Sequence, residues 1–306
     1  MLPREELDRL DAQMAAVTTR EPREVLFRGY GWGALEKARS AKGGDGCGIP
    51  PELPFDEADL GEDQQPWLEL LNTGVFPERA PQDDPGQFMV QEQWRGLLED
   101  SIDGGASDHW LAWLHLGVMR MEAGDSDGAQ AAWETSLERA ANAWALRNLS
   151  VIRSRAGDDA AAADLLAQAV EVGPPAVALV AEYAQVLLKL ERFETLDSVL
   201  AALPQEVRDA ERLCMVAARV ALHFDRFEEV EQVLAREFAT IREGEITLSD
   251  IWFALHERRL ALAEGVQVDD ALKARVRREF PPPYEIDFRM SQEGGDEYIP
   301  PQATDA

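Results

Sequence analysis

Apolar side chains recur along most of this chain at i, i+3, i+4 and i+7, the spacing that puts them on one face of an α-helix. The clearest stripe runs through Trp110, Trp113, Leu114, Gly117 and Met121. A Gly-Asp pair, Gly124-Asp125, breaks it, and a second stripe follows through Ala129, Trp133 and Leu137. Gly can take the positive φ that ends a helix, and Asp can cap the next one, so the pattern predicts a helical hairpin. The same punctuation returns at Gly157-Asp158, Glu191-Arg192 and Asp225-Arg226, at spacings of 33, 34 and 34 residues. Neither helix of such a pair can bury its stripe alone, and stacking of neighbouring hairpins builds one extended core.

The predicted fold class is therefore all-α: a right-handed superhelix of antiparallel helical hairpins with an irregular helical N-terminal extension. Repeat units are expected near 107–140, 141–173, 176–204 and 209–240. A capping pair is expected at 247–280, opened by Thr247-Leu248-Ser249-Asp250 and then Asp269-Asp270, and stopped by Pro281-Pro282-Pro283. Residues 281–306 carry six acids against Arg289, with Gly-Gly and Pro-Pro pairs, and read as an acidic tail without fixed structure.

Residues 1–106 form the extension. One stripe passes through Leu7, Leu10 and Met14, and another through Leu26, Phe27, Tyr30 and Ala34, with Pro22 at the start of the second. From 41 to 66, Gly43-Gly44, Gly46, Gly48, Pro50-Pro51, Pro54 and Pro66 mark a long irregular connection, which either packs across the repeats or serves as a binding element. Short helices are expected around Trp67–Leu71 and Phe88–Ser101.

Charge narrows the possible partners. The formal net charge is −28, and residues 52–109 alone hold fifteen Asp and Glu against Arg79 and Arg95. Such a surface repels phosphates, which argues against nucleic acid and against anionic membranes as partners. The plain role of these acids is to keep the protein soluble. Cys47 and Cys214 form no disulfide framework or metal-ligand spacing, the N-terminus lacks a signal-like apolar core, and no run is long enough to span a membrane. A cytoplasmic protein is expected.

The repeat residues resemble the tetratricopeptide (TPR) family. Its pattern asks for Trp, Leu, Gly and then a bulky residue in the first helix, and for Ala, an aromatic and Ala in the second; the first unit supplies Trp113, Leu116, Gly117, then Ala129, Trp133 and Ser136. The next unit supplies Leu146, Leu149, Ser150, Ala162, Leu166 and Ala169. Val180, Tyr183, Ala184, Leu196 and Leu200 follow, then Cys214, Ala217, Ala218, Val230 and Leu234. Arg120 and Arg153 depart from the family by replacing its bulky first-helix residue. This resemblance implies a scaffold that presents a concave groove to a protein or peptide. A second resemblance rests on Val25-Leu26-Phe27-Arg28-Gly29-Tyr30-Gly31-Trp32-Gly33-Ala34-Leu35-Glu36, Trp144-Ala145-Leu146-Arg147-Asn148-Leu149 and Arg242-Glu243-Gly244-Glu245. These strings look like the C-terminal region of long bacterial proteins of unknown function that carry a galactose-mutarotase-like β-sandwich. That likeness implies the alternative role of a helical tail or accessory of a carbohydrate-active protein.

No catalytic constellation stands out, and no cofactor or metal is implied. Gly29-Tyr30-Gly31-Trp32-Gly33 is not a phosphate-loop pattern, and its glycines read better as admitting close helix approach. His256-Glu257 lacks the second His of a zinc-protease motif, and His109 and His115 fall on different helix faces. Counting along the repeats, inward-facing first-helix positions are Trp144, Arg147, Asn148, Val151 and Arg155, then Gln185 and Lys189, then Arg219 and His223. Trp144 suits either packing or stacking on a ligand. The basic side chains suit either the grip of a carboxylate or the balancing of neighbouring acids such as Glu182.

Overall fold

The computed structural model describes residues 30–43, 53, 55–174, 176–238 and 247–287. The expected stripe at Leu7, Leu10 and Met14, the helix start at Pro22, Cys47, and the tail beyond 287 lie outside the described residues. So do the strings at 25–29 and 242–245. Among the described residues the chain is all-helical, with fourteen α-helices and no strand. It divides into two compact units, residues 1–152 and 153–306.

In the first unit, α1 (Tyr30–Gly43) leads through a 3-10 turn at Glu57–Asp59 to α2 (Gln65–Thr73) and α3 (Glu92–Asp103). Next come α4 (Trp110–Glu122), α5 (Ser126–Arg139) and α6 (Ala143–Arg155), whose last turn crosses into the second unit. Helix α4 packs against α3 and α5, and this buries it nearly all round: Leu111, His115, Leu116 and Met119 are as buried as Trp110 and Leu114. A single stripe under-reads a helix with neighbours on two sides. Trp113 was expected in the core and is half-exposed. Its indole Nε1 donates to Asp108 Oδ1 at 2.8 Å, and an indole N–H so placed keeps one edge of the ring towards water. Trp133 is buried over Gly117 and donates to the Leu114 carbonyl at 3.1 Å.

The helix expected from Phe88 begins only at Glu92. Residues 74–91 form a second irregular stretch instead, and helix-borne side chains satisfy its backbone carbonyls. Trp67 Nε1 donates to the Gln87 carbonyl at 3.2 Å, Trp110 Nε1 to the Arg79 carbonyl at 2.8 Å, and His115 Nε2 to the Pro85 carbonyl at 3.0 Å. His109 Nε2 donates to the Phe76 carbonyl at 2.9 Å while its Nδ1 accepts from Ala112 N–H, capping α4. Two of these donors, Trp67 and His115, sit in a cluster of rings, with Trp67 edge-on to His115 at 5.3 Å and to Trp94 at 6.2 Å. Gly31 and Gly33 admit the 55–64 segment against α1, since a Cβ on either would collide with Gln64 or with the Phe55 ring.

The second unit contains α7 (Asp159–Val172), α8 (Val177–Lys189), α9 (Phe193–Ala202) and the single turn α10 (Gln205–Arg208). It continues with α11 (Glu211–His223), α12 (Phe227–Leu234), α13 (Thr247–Glu264) and α14 (Asp270–Glu279). One core joins α7, α8, α9 and α11 through Leu166, Val180, Tyr183, Leu187, Leu196 and Leu213. A second joins α11, α12 and α13 through Ala218, Val230, Leu234, Leu248 and Ile251. It extends to Ile286 in a closing 3-10 turn, so packing continues past Pro281, where the tail was expected to start.

The register read from the sequence is reproduced by the backbone. Helices α4, α6, α8 and α11 are each 13 residues long and begin 33, 34 and 34 residues apart. The residue ending each following turn has a positive φ: 84° at Gly124, 81° at Gly157, 54° at Glu191 and 55° at Asp225. Asp125 and Asp158 cap the helices after them by accepting from Gly128 and Ala161 N–H at 2.9 and 3.0 Å. Of the repeat-pattern positions from Trp113 to Leu234, only Trp113 and Ala217 are less than fully buried, while Met121 and Leu137 of the first hairpin's stripes are half-buried. The second helices shorten from 14 residues in α5 and α7 to 10 in α9, cut by Pro204, and 8 in α12.

Candidate functional site

Helices α8 and α11 lie side by side and enclose a hollow of about 420 Å³. Each offers a ladder spaced at one-turn intervals. On α8 it is Ala178, Ala181 with Glu182, and Gln185; on α11 it is Arg212, Met215 with Val216, and Arg219. Thr247, at the start of α13, completes the lining. The apolar faces explain why the ladders stand where they do. Val180, Tyr183, Ala184 and Leu187 turn α8 into the core, as Leu213, Val216 and Val220 do for α11, which leaves the flanking rows to face each other. Ala178 and Ala181 keep the near wall low, so the floor is made by Ala181, Met215 and Val216. Gln185, Arg212 and Arg219 are exposed at the walls. A hollow of this size falls within the range of ligand pockets.

The expected inward positions separate into groups. Gln185 and Arg219 come together here. Lys189 and His223 continue the same helices but do not line the hollow. Lys189 Nζ pairs with Asp159 Oδ2 at 2.5 Å, which holds the Asp159 carboxyl below its ordinary range. The His223 ring stacks on Phe193, with centroids 3.9 Å apart and planes 7° from parallel. In the first unit, Trp144 and Asn148 are half-buried and Arg147 is exposed on α6, with Arg147 Nη1 donating to Asn148 Oδ1 at 3.5 Å. Val151 is half-buried on the same helix. Arg155, the last residue of α6, is exposed and belongs to the second unit.

Arg212 was missed by the sequence reading. Its signal was present: it stands seven residues before Arg219, two turns away on the same face. Counting inward positions from the turn stopped at Arg219, two rungs short of it.

The surroundings make these two arginines stand out. In the same unit Arg226 pairs with Asp197 at 2.7 Å, Arg258 with Asp225 at 2.6 Å, Arg259 with Glu231 at 2.5 Å and Arg275 with Glu264 at 2.8 Å. These partners hold Asp225 and Glu231 below the usual carboxylate range. Among the described residues neither Arg212 nor Arg219 has a carboxylate partner. A second hollow, of about 700 Å³, lies beside Leu234, Phe238, Trp252 and Ile286. Two of its rim charges are already matched, Glu231 by Arg259 and Arg236 by Asp209.

Among the described residues no group of three His, Cys, Asp or Glu side chains is placed to hold a metal ion, and no helix is long and apolar enough to cross a membrane. The remaining histidines are structural. His115 is fully buried among Trp67, Phe76 and Phe88, and burial pushes its pKa down to about 4. His256 lies against Trp252 and stacks on Phe280 at 4.4 Å, and burial lowers its pKa as well. Comparison with protein-family models, with curated proteins and with solved structures returned no match.

Proposed function

We propose that this chain is a TPR-type interaction module in which the hairpins of 107–280 coil as a right-handed superhelix and a segment of a partner protein lies in the groove between α8 and α11. One observation carries the proposal: two facing ladders of first-helix residues enclose a 420 Å³ hollow that is apolar at its floor and polar at its walls. A peptide needs both, since apolar contact supplies binding energy and polar walls fix orientation. The repeat register supports the scaffold half of the reading. Equal first helices, a positive-φ turn after each, and a small residue at Gly117 beneath Trp133 are what stacked hairpins require. A reducing cytoplasm fits the buried free thiol of Cys214.

Selection of displayed random peptides on the intact chain tests this. Gln185 is exposed on the groove wall, so Gln185→Trp should fill the groove and leave the fold intact by circular dichroism. Selected peptides are expected to lose at least tenfold in affinity for that variant. Peptides that bind it as tightly as the unaltered chain would place the interaction elsewhere and overturn the proposal.

A further inference from the structure

We propose that the hollow beside α12 and α13 binds a small aliphatic amine with two or more ammonium groups. Its methylene chain lies against Leu234, Phe238 and Trp252, and its charges are held by Glu237 and Glu285. The hollow shares no lining residue with the α8–α11 groove, so the proposal stands apart from the groove reading.

The apolar wall comes from three places in the chain. Leu234 ends α12 and Phe238 follows it, Trp252 stands on α13, and Ile286 ends the closing 3-10 turn. All four belong to or pack on the core of α11, α12 and α13. Leu234 and Ile286 are buried, while Phe238 and Trp252 are half-buried and keep part of their rings for the hollow. Hydrogen bonds hold this wall in place. Trp252 Nε1 donates to the Phe280 carbonyl at 3.0 Å, and Ser249 Oγ donates to the Ile286 carbonyl at 3.3 Å. A volume of about 700 Å³ suits a small ligand, and a wall already fixed spares the cost of ordering it on binding.

Charge selects the occupant. Four charged side chains line the hollow: Glu231, Arg236, Glu237 and Glu285. Arg259 already matches Glu231, and Arg236 is turned to Asp209, pairing with its carboxylate at 3.6 Å and donating to its carbonyl at 3.2 Å. Glu237 and Glu285 are exposed and have no hydrogen bond or ion pair among the described residues. Unpaired acids are ordinary in a chain with 58 acidic against 30 basic residues, but these two border one aromatic-walled hollow. An anion is repelled there, and a neutral apolar molecule leaves both carboxylates unmatched. A metal ion gains nothing from the apolar wall. A cation with an apolar body satisfies both parts, and Trp is the ring that best attracts a cation. Two open carboxylates call for two ammonium groups. A peptide fits less well, because its carbonyls need donors and the one cation lining the hollow, among the described residues, is engaged.

Calorimetric titration of the full chain with hexamethylenediamine at low salt tests the proposal. Magnesium serves as the control, since it carries the same charge without an apolar body. The diamine should bind roughly tenfold tighter than magnesium, and Glu237→Gln/Glu285→Gln should weaken it roughly tenfold. Ala235 is exposed in the lining, so Ala235→Trp should fill the hollow and abolish binding with no change of charge. All three altered positions are exposed, and the variants should melt as the unaltered chain does. Gln185→Trp, in the other groove, should leave the diamine's affinity unchanged. Magnesium binding as tightly as the diamine, or diamine binding that survives either variant, shows diffuse attraction to an acidic surface and overturns the proposal. No binding at millimolar concentration also overturns it. So does an amidated Gly-Ser-Lys-Leu-Lys-Ser peptide that binds tighter than the diamine and is blocked by Ala235→Trp, in favour of a basic protein segment.

Discussion

Where Gly117 would carry a Cβ, the Trp133 indole already stands. The ring has no room to yield, being buried and bonded through Nε1 to the Leu114 carbonyl. Elsewhere in a helix, Gly→Ala gains about 1 kcal/mol of propensity. Here overpacking exceeds that gain, and Gly117→Ala is expected to cost about 1–3 kcal/mol, read as a lower urea midpoint with unchanged slope. A midpoint equal to or above that of the unaltered chain would show that α4 and α5 are not so closely packed. His115 makes a pH-dependent contribution. Its folded pKa of about 4 lies below an ordinary 6.5, so the folded state favours the neutral ring and the unfolded state takes up the proton first. Stability from this group is complete above pH 6.5, falls as pH drops towards 4, and amounts to about 3 kcal/mol. Buried His256 shifts in the same direction. The carboxylates lowered by partners, such as Asp159 and Asp225, add their loss only below their ordinary value of 3.8, so the two windows separate. Imidazole NMR should show His115 still neutral at pH 5.5, and a ring titrating near 6.5 would refute the assignment.

At the scale of the element, the four turns solve one problem with different residues. Gly124 and Gly157 reach a positive φ without strain, whereas Glu191 and Asp225 hold φ near 55° with a side chain attached. That conformation costs about 1 kcal/mol for a residue with a Cβ. Asp225 offsets the cost through its bidentate pairing with Arg258 at 2.6 and 3.1 Å. Glu191 has no such contact among the described residues, so Glu191→Gly should stabilise the chain by about 0.5–1 kcal/mol in thermal or urea unfolding, and a destabilised variant would contradict the strain. The turns were legible in the sequence because a 33–34 residue spacing survives the change from Gly to Glu and Asp. The caps at Asp125 and Asp158 were legible for the same reason: Asp directly after Gly is a local signal. Less was legible of α4, where packing on two sides erases the single stripe. The 74–91 stretch was missed because what stabilises it, carbonyls held by Trp and His donors 20 to 33 residues away, has no local signature. In the groove, Gln185 and Arg219 followed from the register. The engagement of Lys189 by Asp159, and the lack of a carboxylate partner for Arg212 among the described residues, depend on which side chains meet across hairpins, and a linear spacing does not encode that.

For the whole molecule, a net charge of −28 is moderated by ion pairs that link one hairpin to the next. Asp159 with Lys189, Asp197 with Arg226, and Asp225 with Arg258 join residues 29 to 33 positions apart. Each exposed pair contributes at most about 1 kcal/mol, so together they specify neighbours more than they supply stability. A net charge of this sign disfavours phosphate and anionic lipid, which is the ground for proposing a protein partner. The irregular stretch 74–91 has a further consequence. Its backbone is tied to Trp67, His109, Trp110 and His115, so it cannot fray by itself in the manner of a surface loop. A protease seeking the bond after Arg79 must wait until the hold of buried Trp110 on that carbonyl is released, and the survival time of this loop is therefore set by the unfolding of its whole unit.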